Sequence, residues 1–250
     1  MMTLAGKVAL VLGASRSMGR LFAEDLAARG ARVAVHYNSA GSAADAQQVV
    51  AGIVAAGGQA RAWQADLTDL AELVGLFDTV QRAFGGVDIV VNTAGRIAKM
   101  PIAEMDEAEY DALAAINSKA AFFVLREAAR RLRDNGRVVS VSTSLTAATT
   151  GLYAAYAGGK AALEAYTRAL AKEVGHRGIT VNAICPGPLD TPFFHANAGP
   201  EAVTWAKAQA PLNRLGEPAD LVGIVRLLTG PDGQWINGQS ILVNGAMVAR

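Results

Sequence analysis

Tyr156 and Lys160 stand four residues apart in Tyr156-Ala157-Gly158-Gly159-Lys160, shortly after Val138-Val139-Ser140-Val141-Ser142-Thr143-Ser144. On a helix that spacing puts both side chains on one face, within reach of the same small molecule. A free phenol holds its proton to about pH 10 and is a sluggish acid or base near neutrality. A neighbouring ammonium favours the phenolate and lowers that pKa, so the pair reads as a proton donor with its tuning charge.

A second cluster suits a dinucleotide. The apolar run 8–12 ends in Gly13-Ala14-Ser15-Arg16-Ser17-Met18-Gly19 before a helical pattern opens at Arg20. Small residues in a strand-to-helix turn let a pyrophosphate approach the backbone and sit at the helix N-terminus. That assigns Gly13, Ser15, Arg16, Met18 and Gly19 to the cofactor loop, with Ser17 where a middle glycine is usual; the other reading is an ordinary tight turn. After the second apolar run come His36-Tyr37-Asn38-Ser39, with no carboxylate to bond a ribose 2′-hydroxyl. The missing acid, with the Arg16 guanidinium nearby, favours NADP(H) over NAD, with Asn38 and Ser39 beside the extra phosphate. His36 and Tyr37 read equally as a partly buried strand end.

These groups need a frame, and short apolar runs at 8–12, 32–35, 59–64, 87–91, 137–141, 180–185 and 240–243 predict seven strands. Helical patterns at 45–56, 70–84, 107–132, 156–174 and 218–228 separate them. Strands nearly continuous in Val, Ile and Ala suit a sheet covered on both faces. The alternation predicts an α/β fold: a single-domain, Rossmann-like, doubly wound seven-stranded parallel sheet flanked by helices. No repeat or linker divides residues 1–250.

Composition excludes several function classes. The chain has 250 residues, is 52% hydrophobic and 18% charged, and carries a net charge of +1. Such a balance gives no field for gathering nucleic acid or an anionic membrane. No run is long enough to span a bilayer and no secretory signal opens the chain, so a cytoplasmic protein is expected. Cys185 is the sole cysteine and reads as a small core residue. No His, Cys, Asp and Glu cluster has metal-ligand spacing, so no metal is expected.

With these residues assembled, the chain resembles the short-chain dehydrogenase/reductase family over essentially its full length, in the compact branch that includes β-ketoacyl-carrier-protein reductases. Beside the motifs above, the resemblance is carried by Asp66-Leu67-Thr68, Asn92-Thr93-Ala94-Gly95, Ile116-Asn117-Ser118-Lys119, Pro186-Gly187-Pro188-Leu189-Asp190-Thr191, the stretch from Pro211 to Pro218, and Trp235-Ile236-Asn237-Gly238-Gln239. It implies that Asp66 bonds the adenine amino group, that Leu67 packs on that ring, and that Asn92, Ala94 and Gly95 floor the adenosine half. It further implies that Lys160 holds the nicotinamide ribose, that Asn117 fixes a water in a proton relay, and that Pro186, Gly187, Leu189 and Thr191 meet the nicotinamide side. The family's catalytic serine falls thirteen residues before the tyrosine, where this chain has Thr143. Thr143 would bond the substrate carbonyl, or Ser144 after a one-residue shift.

Other departures are Leu12, Thr93, Gly159 and Ala246. Gly158-Gly159 is costly in a helix, and close backbone approach to cofactor or substrate would explain it. The implied reaction is hydride transfer between nicotinamide and a carbonyl or secondary alcohol, the small-molecule substrate. Aromatic and Gly/Pro residues at 193–211 suggest a mobile lid over a partly apolar substrate, within a lid region of 191–211, with segment 146–153 as the opposite wall. His195 either contacts substrate or is a solvated loop residue. The resemblance also implies a homodimer or homotetramer; the Ala-rich helices at 106–132 and 156–174 either pair with their symmetry mates or simply pack on the sheet. The competing reading is a catalytically idle NADP(H)-binding redox sensor or scaffold, kept open by Ser17, Thr93 and Thr143.

Overall fold

The computed structural model describes residues 3–148 and 150–249. Among them, seven strands form one parallel sheet in the order β3-β2-β1-β4-β5-β6-β7. They are β1 (Val8–Leu12), β2 (Arg32–Tyr37), β3 (Gln59–Gln64), β4 (Val87–Asn92), β5 (Leu132–Val141), β6 (Thr180–Pro186) and β7 (Ser240–Val243). All seven overlap the apolar runs, with β5 starting earlier than its run. Side chains alternate across the sheet with period two, so each strand feeds two cores. Leu10, Leu12, Val90 and Val138 pack with Leu73 and Phe77 of α3 (Leu70–Phe84) and Leu163 of α6 (Ala154–Val174). Their neighbours Ala9, Val11, Val91 and Val139 pack on the other face with Phe22 and Leu26 of α1 (Ser17–Ala28), Val49 of α2 (Ala43–Ala55) and Val225 of α9 (Val222–Thr229).

The strand order reverses between β1 and β4, so the loops after these strands diverge and leave a crevice at their carboxyl ends. The glycine loop and residues 93–96 border it. The carboxyl ends of β5 and β6 extend the same edge to residues 142–144 and 187–191.

Three expected elements differ. The helix expected over 107–132 is α4 (Glu107–Ala114), a π-helical turn (Ala115–Ala120) and α5 (Ala121–Arg131). Such turns insert one extra residue and recur at functional sites; this one contains Asn117. Strand β5 begins at Leu132 rather than 137, because Leu132 pairs with Val87 before the register shifts to Ile89↔Arg137. The segment expected to be a mobile lid contains α7 (Pro192–His195) and α8 (Pro200–Gln209), each with proline in its first turn, where the missing N–H costs nothing.

Candidate active site

The glycine loop is clamped at its first residue. Gly13 has φ +76°, a conformation L side chains rarely adopt. Its N–H donates to His36 Nδ1 at 3.0 Å, and its carbonyl accepts from Thr93 Oγ1 at 3.1 Å. A Cβ on Gly13 would lie 2.7 Å from that Thr93 oxygen, and one on Gly19 would collide with the Gly13 carbonyl. The loop thus folds flat onto the start of α1, a cradle with no room for side chains, which fits a pyrophosphate at the helix N-terminus. Ser17 takes φ +47°, which explains why glycine is usual there. Ser15 is buried, Met18 packs on the core beside α1, and exposed Arg16 donates to Ser42 Oγ at 3.0 Å. That bond holds the guanidinium over the turn after β2, beside exposed Asn38 and Ser39. Ser42 was not singled out from the sequence; its only signal is a serine three residues past Ser39.

Asp66 accepts from Thr68 N and Thr68 Oγ1 at 2.9 and 2.7 Å, shaping the loop after β3. The cap of α3 is instead Asp69, which accepts from Ala71 N and Glu72 N. Leu67 is buried in the core with Leu12 and Phe77, so its side chain does not lie open to the crevice. Asn92 Oδ1 accepts from Ala94 N at 3.1 Å, turning the chain away after β4.

Tyr156 and Lys160 share the buried face of α6 with Leu163, Glu164 and Thr167. The Lys160 Nζ donates to Val141 O at 2.9 Å and Ala94 O at 3.4 Å. It lies so near Gly95 that a Cβ there would be 2.9 Å away. Of Ser142, Thr143 and Ser144, Thr143 is the one whose hydroxyl acts on the Tyr156 phenol, favouring its charged form. Ser142 donates to Glu164 Oε1 at 2.9 Å, and Ser144 donates to Cys185 O at 2.8 Å while accepting from Asn244 Nδ2 at 3.1 Å. The one-residue alternative, Ser144, therefore points into the protein.

The lowered phenol pKa expected from the ammonium is not what this site does. Burial pushes the Tyr156 phenol up to about 12, against the opposing bond to Thr143. The same burial pulls Lys160 down to about 8. Both charged forms lose water on burial, and that loss is the largest influence on each. The phenol is thus held as an acid with its proton on.

Asn117 is fully buried, and its amide is engaged with Arg96: Oδ1 accepts from Arg96 N at 3.2 Å and Nδ2 donates to Arg96 O at 2.7 Å. It braces the loop that carries Gly95 against Lys160. Of the glycine pair on α6, Gly159 has a cause in the packing of the protein itself. A Cβ on Gly159 would fall 2.9 Å from Asn117 Cβ, whereas one on Gly158 would meet nothing within 4 Å. Gly159 permits the approach of the π-helical turn.

On the far side of the cleft, Pro186 ends β6, and Gly187 N donates to Val243 O at 3.2 Å. Buried Leu189 bridges to Gly216, and buried Thr191 caps α7 by accepting from Phe194 N. His195 is exposed and bonds Asp190 Oδ1 at 2.7 Å. The expected opposite wall is tied down where Met100 N donates to Leu152 O at 2.8 Å; its Thr149 lies outside the described residues. Among the described residues, no three His, Cys, Asp or Glu side chains are grouped to hold a metal.

Comparison with known proteins adds kinship to this geometry. A family model described as enoyl-(acyl carrier protein) reductase matches residues 13–247. A hydroxynaphthalene reductase-like protein of Metarhizium brunneum is 42% identical over 260 residues, covering 98% of this chain and 96% of the relative. A short chain dehydrogenase from Burkholderia cenocepacia, solved in complex with NADP, is 38% identical with a TM-score of 0.92, over 99% of this chain and 100% of that one. The angucycline C-6 ketoreductase LanV, solved with bound NADP, is 34% identical with a TM-score of 0.91, over 98% and 96%. Shared sequence along nearly the whole length, on a shared fold, means that this chain belongs to the short-chain dehydrogenase/reductase family.

Proposed function

We propose that the chain is an NADP(H)-dependent oxidoreductase that reduces a carbonyl to a secondary alcohol, with Tyr156 as proton donor. The observation that carries this reading is the Tyr156 phenol, buried, held protonated and bonded to Thr143 at the mouth of a dinucleotide-type crevice. The cofactor, when bound, supplies the hydride. Tyr156 gives its proton to the carbonyl oxygen as negative charge develops there. The Thr143 hydroxyl donates to the same oxygen and fixes its position. Lys160 reaches past Gly95 to the ribose hydroxyls and holds a positive charge beneath the phenol. Gly13 to Gly19 cradle the pyrophosphate, Arg16 and Ser42 meet the 2′-phosphate, and Asp66 meets the adenine amino group. NADP in related solved structures supports the choice of cofactor.

Fused-ring relatives, one acting on an angucycline and one named for hydroxynaphthalene, favour an apolar ring ketone as substrate. Exposed Leu152 and Phe193, on the segments flanking the cleft, suit such a substrate. The lid role of residues 191–211 and a homodimer or homotetramer built on α4, α5 and α6 complete the reading. The test is loss of reduced-nicotinamide absorbance with NADPH and a panel of aromatic ketones, aldehydes and β-ketoacyl thioesters. Turnover with ring ketones is the expected result; binding of NADPH with no turnover across the panel contradicts it and returns the idle sensor.

A further inference from the structure

His36 holds the cofactor crevice from behind. It is the penultimate residue of β2, sits 2% exposed, and spends both ring nitrogens on backbone. Nδ1 lies 3.0 Å from Gly13 N, which can only donate, so Nδ1 carries the lone pair. Nε2 lies 2.8 Å from Ala65 O, which can only accept, so Nε2 carries the hydrogen. One ring in one tautomer thus joins the first residue of the pyrophosphate loop to the residue preceding Asp66, which faces the adenine end. The His36 carbonyl adds a third tie by accepting from Ala14 N at 2.8 Å. Burial keeps the ring neutral, with a pKa lowered to about 4 despite nearby Asp66.

We propose that His36 is a positioning residue for the dinucleotide: its Nδ1 bond to Gly13 sets the loop for the pyrophosphate, and its Nε2 bond to Ala65 fixes the distance from that loop to the adenine site. Gly13 needs such a partner because its N–H points to β2, where an unmet amide is costly. The Thr93 bond to the Gly13 carbonyl completes the clamp from the opposite strand. The inference rests on reading the glycine loop as an NADP(H) site, so NADPH binding by the unaltered protein is measured first.

Three variants then separate the two bonds. Asparagine Oδ1 falls where histidine Nδ1 does, so His36→Asn keeps the Gly13 bond alone. Glutamine Nε2 falls near histidine Nε2, so His36→Gln keeps the Ala65 bond alone. His36→Leu keeps neither. We expect NADPH Kd to weaken at least about tenfold in His36→Leu and His36→Gln, the scale of one buried donor left unpaired. His36→Asn is expected to stay within about threefold, and kcat at saturating NADPH to hold within about twofold in all three. Long-range proton–nitrogen NMR on the unaltered protein near neutral pH is expected to show a neutral ring protonated at Nε2. The proposal is overturned by a ring protonated at Nδ1 or at both nitrogens, by His36→Asn weakening NADPH as much as His36→Leu, or by lowered Tm with unchanged Kd. If His36→Leu does not fold, the asparagine and glutamine pair and the NMR measurement decide alone.

Discussion

Burial sets the order in which Tyr156 and Lys160 lose their protons. With the ammonium at about 8 and the phenol at about 12, the lysine gives up its charge first. A protonated phenol is the form reduction needs, so rising pH harms the reaction through Lys160 and not through Tyr156. The kcat for carbonyl reduction is expected to be level near neutrality and to fall with an apparent pKa near 8. An upper limb appearing only where free phenols titrate, at about 10 or above, would assign it to the wrong residue. His36 brings a separate dependence. Its folded pKa, about 4, lies below the unfolded value of 6.5, so between those values the unfolded chain takes up a proton that the folded ring refuses. Stability is therefore full above pH 6.5 and falls as pH drops toward 4, by up to about 3 kcal/mol. Denaturation of His36→Asn over that range is expected to show a flatter slope; an equal slope would place the titration elsewhere. The Tyr-xxx-Lys spacing made the pair legible in sequence, but the sign of the phenol shift was not, because it depends on how completely α6 and β5 exclude water.

The helices place these groups through close contacts that spacing alone does not reveal. Gly158 and Gly159 look equivalent in sequence, yet only Gly159 faces Asn117. Each replacement by alanine offers about 1 kcal/mol of helix propensity. Gly158→Ala is expected to gain about that much in denaturant unfolding, while Gly159→Ala gains less or loses, since its Cβ would fall 2.9 Å from Asn117 Cβ. Equal gains would mean that α6 and the π-helical turn are free to separate. The strands were the most legible elements, because runs such as Val8–Leu12 are buried on both faces and so read as continuous apolar segments. The break inside 107–132 was not legible: the stretch holds no glycine or proline, and the π turn arises where Asn117 is drawn to the Arg96 backbone. The short helices at 192–195 and 200–209 were hidden for a similar reason, since proline and glycine read as loop signals although each proline here starts a helix.

At the scale of the molecule, one sheet and two cores bring the carboxyl ends of β1, β4, β5 and β6 to a single edge, and every candidate group lies on or beside it. That convergence followed from the alternation of strands and helices, whereas the bonds that His36 and Thr93 make to Gly13 were not legible because their partner lies 23 and 80 residues away. The outer surface of α4 and α5 leaves Tyr110 54% and Phe122 45% exposed, with Phe122 stacked edge-on against Tyr166 of α6. In the proposed two-fold assembly these rings are covered. Light scattering is expected to give a dimer or tetramer for the native chain and a smaller species for Phe122→Arg; a native monomer would remove the assembly from the account.

The central claim is that the Tyr156 hydroxyl delivers the proton, and Tyr156→Phe tests it most directly because it deletes one oxygen. Turnover of a ring ketone and NADPH Kd should be measured on the same sample. A fall in kcat of at least about 100-fold, with Kd within about twofold, is the expected result. Unchanged turnover would contradict it.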